Sequence, residues 1–232
     1  MQRNILFGIV GLIVGLSVGF FAANKINRDT VSQTNVSQNS SDAPFLNQQI
    51  QNAAVKEQHT QNGMQPAVAE GLEKAKNEPA NFEAQVVAGE MYLRIENFEK
   101  AIGFYKRASQ IKPNDYPLIV KIGNTYFDSG QFEEAEKWYL KALEIKPDDV
   151  NVRTDLGITF VEREKPDLER AVKEFQTSLE TNSKHEPTLY NLGIAYFKKG
   201  DSEKAEEALK QLEAVGGQSS LAKRLRQITG VK

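Results

Sequence analysis

No cysteine occurs among the 232 residues, so the chain offers no disulfide, no thiolate nucleophile and no cysteine-based metal site. Only two histidines are present, His59 and His185, and they lie far apart without the spacing of a metal site. Histidine is the commonest general base and metal ligand. Because no glycine-rich phosphate loop compensates for these absences, the sequence disfavours an enzyme, and we expect no cofactor and no metal.

An excess of one charge is also lacking. The 29 basic and 31 acidic residues give a net charge of -2 and largely interleave. Nucleic-acid binding requires a basic footprint that this chain does not have. Two local clusters have ordinary explanations: the sequence "KRLR" at 223–226 is typical of a solvated face on a terminal helix. The acidic cluster Glu133, Glu134 and Glu136 falls where a helix begins, and negative charge there is favourable against the helix dipole.

One long apolar run is present, from Ile5 to Ala23, and it contains no charged residue. As a helix it spans about 30 Å, the thickness of a bilayer hydrocarbon core. A cleaved signal peptide is the rival interpretation, but its apolar core is shorter and its cleavage site needs small residues, whereas Phe20 and Phe21 stand there. We therefore predict a single-pass membrane anchor over residues 1–23. The flanking charges favour an extracytoplasmic position for the rest of the chain.

Small residues recur within this run at every fourth position. Such a stripe lets a second helix approach closely in the membrane. The partner is either a second copy of the chain, giving a homodimer, or another membrane protein. The stripe consists of Gly11, Gly15, Gly19 and Ala23.

Residues 24–65 are rich in Asn, Gln, Ser and Thr and poor in aromatic residues. A segment of this composition buries too little apolar surface to offset the entropy of ordering, so we predict a flexible linker. Within it, residues 44–58 carry apolar side chains near helical spacing, among them Phe45, Leu46 and Ile50. Two interpretations stay open, a transient helical turn or a docking segment.

The remainder, residues 66–232, repeats with a fixed period, and each period divides into two helical stretches separated by a turn. In the second period the helical patterns run over "YPLIVKIGNTYF" and "EEAEKWYLKALEI", with "DSGQF" between them. The period is 34 residues, and a period of this size is the signature of a stacked repeat architecture. The residues that are 34 apart are Gly89, Gly123 and Gly157, then Ala101 and Ala135, and then Pro79, Pro113 and Pro147.

This pattern resembles the tetratricopeptide repeat (TPR) family, of which the anchored bacterial type is the nearest in organisation. The second repeat matches at Gly123, Tyr126, Gly130, Phe132, Ala135, Tyr139, Ala142 and Pro147, and the first at Gly89, Tyr92, Phe98, Ala101, Tyr105, Ala108 and Pro113. The third has Gly157, Phe160, Ala171, Phe175 and Ser178, with two extra residues and Ser183 in place of the closing Pro. The fourth has Gly193, Tyr196, Gly200 and Ala205.

The resemblance implies an all-α fold, a right-handed superhelical stack of helix-turn-helix repeats. The repeats are expected at about 82–115, 116–149, 150–185 and 186–217, with an unpaired second helix ahead of them and a capping helix at 219–229. In this family the first helix of each repeat lines a concave face that binds peptides. Carried over by position, the lining residues are Val86, Glu90, Leu93, Val120, Asn124, Phe127, Thr154, Ile158, Val161, Tyr190, Ile194 and Phe197.

Most of these lining residues are apolar, and an apolar groove suits an amphipathic helix of a protein or peptide partner. The Lys, Arg and Asn clamp that some family members use for a chain-terminal carboxylate is not matched, so we expect no recognition of that kind. Two hypotheses follow. In the first, the chain is a non-catalytic, membrane-anchored scaffold in the assembly of a membrane or envelope complex. In the second, the anchor dimerises and residues 44–58 occupy the groove.

Overall fold

The computed structural model describes residues 66–216 and 219–230. That part of the chain contains ten α-helices and no β-strand. The helices are α1 (Pro66–Asn77), α2 (Phe82–Arg94), α3 (Phe98–Ile111), α4 (Tyr116–Asp128), α5 (Phe132–Ile145), α6 (Val150–Glu162), α7 (Leu168–Thr181), α8 (Glu186–Lys199), α9 (Ser202–Gly216) and α10 (Ser220–Thr229). The all-α prediction is therefore confirmed for the described residues.

The predicted anchor, with its stripe Gly11, Gly15, Gly19 and Ala23, and the predicted linker lie outside the described residues. Among the ten helices none combines the length and the apolar character that a membrane crossing requires.

The described helices belong to two compact units, one containing α1 to α5 and the other α6 to α10, with the division after Pro147. In the first unit α2 packs against α3 and α4 against α5, while α1 packs against α2 and α3 against α4. In the second unit α6 packs against α7 and α8 against α9. The helix α10 closes that unit by packing against both α8 and α9.

The first helices of the first three repeats, α2, α4 and α6, begin at equivalent residues, and each of the three is capped in the same way. The side-chain oxygen of Asn81 accepts a hydrogen bond from the Ala84 amide at 3.0 Å. Asp115 accepts from the Leu118 amide at 2.9 Å and Asp149 from the Val152 amide at 3.0 Å. The three capping residues are evenly spaced by one repeat period, and such caps satisfy amides that have no partner inside the helix.

Helix pairs cross closely at the repeated glycines. A Cβ at Gly123 would lie 2.8 Å from Cε1 of Tyr139, and a Cβ at Gly89 would overlap the Tyr105 ring. Both tyrosines and Phe175, which faces Gly157 in the second unit, are completely buried. The small residue on the first helix therefore makes the space that the aromatic residue on the second helix fills.

The turns inside the pairs have a common backbone conformation in the first unit. Glu96 has φ 55° and Gly130 has φ 76°, and these residues are one repeat period apart. Gly200 occupies the corresponding turn between α8 and α9 with φ 81°. The turn between α6 and α7 is longer, residues 163–167, and accommodates the two extra residues of the third repeat without interrupting either helix.

Candidate protein-binding surface

In the first unit the predicted lining residues lie on α2 and α4, at helical spacings of three and four that place them along one face. Val86, Glu90 and Leu93 of α2 and Val120 and Asn124 of α4 are all partly exposed. The last one, Phe127, is 1% exposed and packs edge-on against the Phe132 ring at 5.3 Å. The face on α2 and α4, defined by the five partly exposed residues, is called the amino-terminal face below.

An ion pair joins the two helices within the amino-terminal face. Lys121 of α4 contacts Glu90 of α2, and their side chains are 34% and 37% exposed. A pair this accessible to water contributes at most about 1 kcal/mol to stability. The pair therefore matters for the chemistry of the face, where it places a carboxylate and an ammonium group beside the apolar side chains of Val86 and Val120.

The Asn124 side chain is held in place by α5, the second helix of its own repeat. The Tyr139 hydroxyl, whose ring is completely buried beside Gly123, donates a hydrogen bond of 2.8 Å to Asn124 Oδ1. Since the amide oxygen is engaged by the tyrosine, the amide nitrogen is the group that Asn124 presents for contacts at the face. An amide NH₂ donates well to a peptide carbonyl oxygen.

One repeat earlier, the same positions hold Glu90 and Tyr105, and the arrangement differs. The Tyr105 ring is completely buried, and its hydroxyl has no hydrogen-bond partner among the described residues. Burial, and then the negative charge of Glu90, raise the pKa of Tyr105 far above its ordinary value. The phenol is therefore neutral, and Glu90 is engaged by Lys121 instead of by the tyrosine.

In the second unit most of the predicted lining residues are buried. Thr154, Ile158 and Val161 of α6 and Tyr190 and Ile194 of α8 are at most 1% exposed. Phe197, near the end of α8, keeps a partly exposed side chain. The two units thus differ in the exposure of their predicted lining residues. Most of the accessible ones belong to the amino-terminal face.

Thr154 shows why a predicted lining residue of the second unit is buried, because its hydroxyl belongs to an internal polar cluster. Thr154 Oγ1 lies 2.7 Å from Thr188 Oγ1 and 3.2 Å from Ser178 Oγ, and it donates to the Val150 carbonyl at 2.7 Å. His185 Nδ1 lies 2.6 Å from Thr188 Oγ1. Burial lowers the pKa of His185, with the charge of Asp149 acting in the opposite direction.

A groove of about 660 Å³ lies between α1, α2 and α3 of the first unit. The rings of Tyr92 and Phe104 stack there with centroids 5.5 Å apart, and the Arg107 guanidinium lies 4.6 Å from the Phe104 centroid. Leu72 and Pro79 complete its apolar wall. Sequence reasoning named Tyr92 and Pro79 only as parts of the repeat pattern and did not consider the other three side chains, so it missed this groove.

Tyr139 and Lys121 were likewise missed as parts of the face. The sequence feature that could have indicated the role of Tyr139 is its hydroxyl. The equivalent residue of the third repeat is Phe175, which has no group to donate. In the basic sequence at 223–226, Leu225 is completely buried and Arg226 pairs with Glu213. The described residues also include no group of three or more side chains arranged to hold a metal ion.

Sequence models of one repeat family match three stretches that together cover more than half of the chain. A model described as TPR repeat matches residues 123–163, and two described as tetratricopeptide repeat match residues 65–116 and 163–228. The chain belongs to the tetratricopeptide repeat family. Comparison with curated protein sequences finds no matching relative for this TPR chain.

Solved TPR structures share the fold at low sequence identity. The structure of YrrB, described as a TPR protein with an unusual peptide-binding site, has a TM-score of 0.62 at 21% identity and covers 80% of this chain and 91% of its own. MamA 41-end from Desulfovibrio magneticus RS-1 has a TM-score of 0.59 at 17% identity, covering 66% and 86%. A thermophilic TPR protein from Thermus thermophilus has a TM-score of 0.52 at 20% identity, covering 65% and 84%.

Proposed function

We propose that this TPR protein is a non-catalytic scaffold that binds a protein or peptide through the amino-terminal face, as one part of a concave surface of superhelically stacked repeats. The observation that carries the proposal is the pair Tyr139 and Asn124, in which a buried hydroxyl orients an amide among partly exposed apolar side chains. Hydrogen-bond donors fixed among apolar contacts are what specific ligand sites provide.

An amphipathic helix suits this face. Val86, Leu93 and Val120 supply apolar contacts, and the Asn124 amide nitrogen donates to a carbonyl or polar side chain of the partner. The pair of Glu90 and Lys121 adds one charge of each sign, which favours a partner with complementary charges beside its apolar stripe. Support from related structures is limited to the fold, although YrrB is itself described as having a peptide-binding site.

The proposal includes a membrane location for the scaffold. The uncharged run Ile5–Ala23 serves as a single-pass anchor, the TPR repeats lie on the extracytoplasmic side, and the bound partner belongs to a membrane or envelope complex. The stripe Gly11, Gly15, Gly19 and Ala23 gives the anchor a surface for a second membrane helix, in a homodimer or with another protein. Release of the full-length chain from membranes by alkaline carbonate would contradict the anchor.

The binding proposal is tested by purifying the tagged full-length chain from cells and quantifying co-purified protein for two matched variants. Tyr139→Phe removes the hydroxyl that holds Asn124, so we expect partner retention to fall several-fold, with a loss of stability of about 0.5–1.5 kcal/mol. Tyr105→Phe removes a hydroxyl that has no partner among the described residues, and it should leave retention unchanged.

Asn124→Ala completes the comparison. It leaves the packing of Tyr139 against Gly123 in place but removes the donor, and we expect it to reduce retention at least as much as Tyr139→Phe. Equal retention by the wild type, Asn124→Ala and Tyr139→Phe would overturn the assignment of the binding site to this face.

A further inference from the structure

The groove between α1, α2 and α3 lies on a different side of α2 from the amino-terminal face. Tyr92, which lines the groove, follows Glu90 of that face by two residues and precedes Leu93 of that face by one. Successive residues of an α-helix are turned by about 100° around its axis, so the Tyr92 side chain points at least that far away from both. The groove is therefore a surface that the amino-terminal face does not include.

Contacts between α1 and α2 fix the walls of this groove. A Cβ at Gly71 of α1 would lie 2.6 Å from Cε of Met91 on α2, so the helices are in close contact and Met91 fills the space beside the glycine. The side chain of Gln85, which is completely buried, donates a hydrogen bond of 2.6 Å to the Ala75 carbonyl oxygen of α1. A site with walls held in this way loses little conformational freedom when it binds a ligand.

The groove combines apolar and aromatic walls with an excess of positive charge. Its lining residues include two cations, Lys76 and Arg107, and one carboxylate, Glu73. The ammonium group of Lys100 lies 5.1 Å from the centroid of the Tyr92 ring. The ion pairs in the part of the chain that the structure describes include none of these three cations. Their charges are thus available to a negatively charged ligand.

Arg107 is the cation best placed to recognise a carboxylate. Its side chain is exposed, and its guanidinium lies 4.6 Å from the centroid of the Phe104 ring. The attraction between a guanidinium and the face of an aromatic ring holds the cation in position, while the N–H groups at its edge remain able to donate. A guanidinium donates two parallel hydrogen bonds to one carboxylate, which a lysine ammonium group does not reproduce.

One repeat later, a side chain of the protein itself lies over the ring that is equivalent to Tyr92. Leu72 corresponds by position to Lys106, and Tyr92 corresponds to Tyr126. The ammonium group of Lys106 lies 5.4 Å from the centroid of the Tyr126 ring, and Tyr126 is 3% exposed. Tyr92 is partly exposed. The first repeat therefore keeps an accessible aromatic surface where the second repeat has a lysine.

We propose that this groove is a second protein-binding site, separate from the amino-terminal face, and that it binds a peptide segment of a partner protein in which an acidic side chain lies beside an apolar one. The apolar side chain contacts Leu72, Tyr92 and Phe104. The carboxylate pairs with Arg107. The groove volume of about 660 Å³ falls within the range of about 300–1,000 Å³ that is usual for ligand pockets.

The first test is selection of short peptides from a random library displayed on phage, with the full-length chain in mild detergent as the target. The peptides are fused to the phage coat protein at their carboxyl ends, so that only side chains supply carboxylates. We expect the wild type to enrich peptides with Asp or Glu next to Leu, Ile or Phe. Arg107→Gln should lose this class, whereas Asn124→Ala should keep it, because Asn124 belongs to the amino-terminal face.

The dissociation constant of one selected peptide, measured by fluorescence anisotropy, tests the pairing itself. Arg107→Gln should weaken binding about tenfold. Replacing the acidic residue of the peptide by its amide should have the same effect, with no further loss when both changes are combined. The matched control is Lys141→Gln, at the position equivalent to Arg107 in the second repeat, where the ammonium group lies 5.2 Å from the Trp138 ring centroid. This variant should bind the peptide as the wild type does.

Leu72→Lys distinguishes binding in the groove from a general attraction between opposite charges. It introduces into the first repeat the lysine that the second repeat has at Lys106, so we expect it to fill the groove and weaken binding several-fold, although it adds a positive charge. Tighter binding by Leu72→Lys would overturn the proposal, as would the failure to enrich any acidic peptide class that depends on Arg107.

Other occupants of the groove would give different results. Self-association of the wild type that Leu72→Lys abolishes would show that a second copy of the chain fills the groove. A photo-crosslinking probe at Lys76 that joins only to the same chain would show an internal occupant. Either result would also overturn the proposal, and neither depends on whether the amino-terminal face binds its own partner.

Discussion

At the scale of single residues, Gly89 and Gly103 provide a matched test of how the helix pairs are packed. Both lie within helices, but a Cβ at Gly89 would overlap the buried Tyr105 ring, whereas one at Gly103 meets nothing within 4 Å. Gly89→Ala should therefore destabilise the chain by about 1–3 kcal/mol through overpacking. Gly103→Ala should stabilise it by roughly 0.5–1 kcal/mol, because alanine favours the helix. Urea unfolding followed by circular dichroism distinguishes the two, and destabilisation by both would contradict the close-crossing account.

His185 gives a prediction of pH dependence. Its pKa is lowered by burial in the folded protein, while the unfolded chain has the ordinary value of about 6.5. Below that pH the unfolded state binds a proton that the folded state resists, so the free energy of unfolding falls as the pH drops from about 6.5 through the folded pKa. His185→Gln has no such group, and its stability should fall less over this interval. Parallel curves for the two proteins would contradict the prediction.

The residue scale is also where sequence reasoning was least complete. It placed Asn124 on the lining face, but it named Tyr139, which orients Asn124, only as part of the repeat pattern. It placed Thr154 on a binding face, whereas the structure engages its hydroxyl with Ser178 and Thr188. Those two partners lie on other helices, α7 and α8, and a contact at that distance along the chain becomes visible only after the helices are packed.

At the scale of helices, the caps of α4 and α5 provide another matched comparison. Asp115 caps α4 through a hydrogen bond of 2.9 Å from the Leu118 amide, whereas Gln131 begins α5 without a side-chain bond of this kind. Asp115→Ala should cost about 0.5–2 kcal/mol, and Gln131→Ala should leave stability nearly unchanged. Thermal unfolding of the two variants beside the wild type checks this, and equal losses would show that the cap does not determine where α4 begins.

Helices were predicted well because their signal is local. The apolar spacing in "YPLIVKIGNTYF" predicted a helix over 116–127, and α4 runs from Tyr116 to Asp128. The pattern 133–145 likewise agrees with α5, Phe132–Ile145. The extra residues of the third repeat fall in the turn between α6 and α7, where loop length is tolerated.

At the scale of the whole molecule, the fixed repeat period was the most informative feature of the sequence for predicting the architecture. It led to the TPR family from one sequence, and the family models match the same region of the chain. Accessibility was harder to predict, since equivalent positions need not have equivalent surroundings. Val86 and Val120 are partly exposed, whereas Thr154, at the next equivalent position, is completely buried.

The central claim is that the amino-terminal face holds a partner protein. The most direct measurement is in-cell photo-crosslinking from a probe at Val120, with Gln110, an exposed residue of α3, as the control position, and with mass spectrometry of the crosslinked species. We predict that one distinct protein is trapped from Val120, is absent at Gln110, and is lost when Asn124→Ala is combined with the probe. A product from Val120 that joins only to residues 44–58 of the chain itself, or that appears equally at Gln110, would contradict the account.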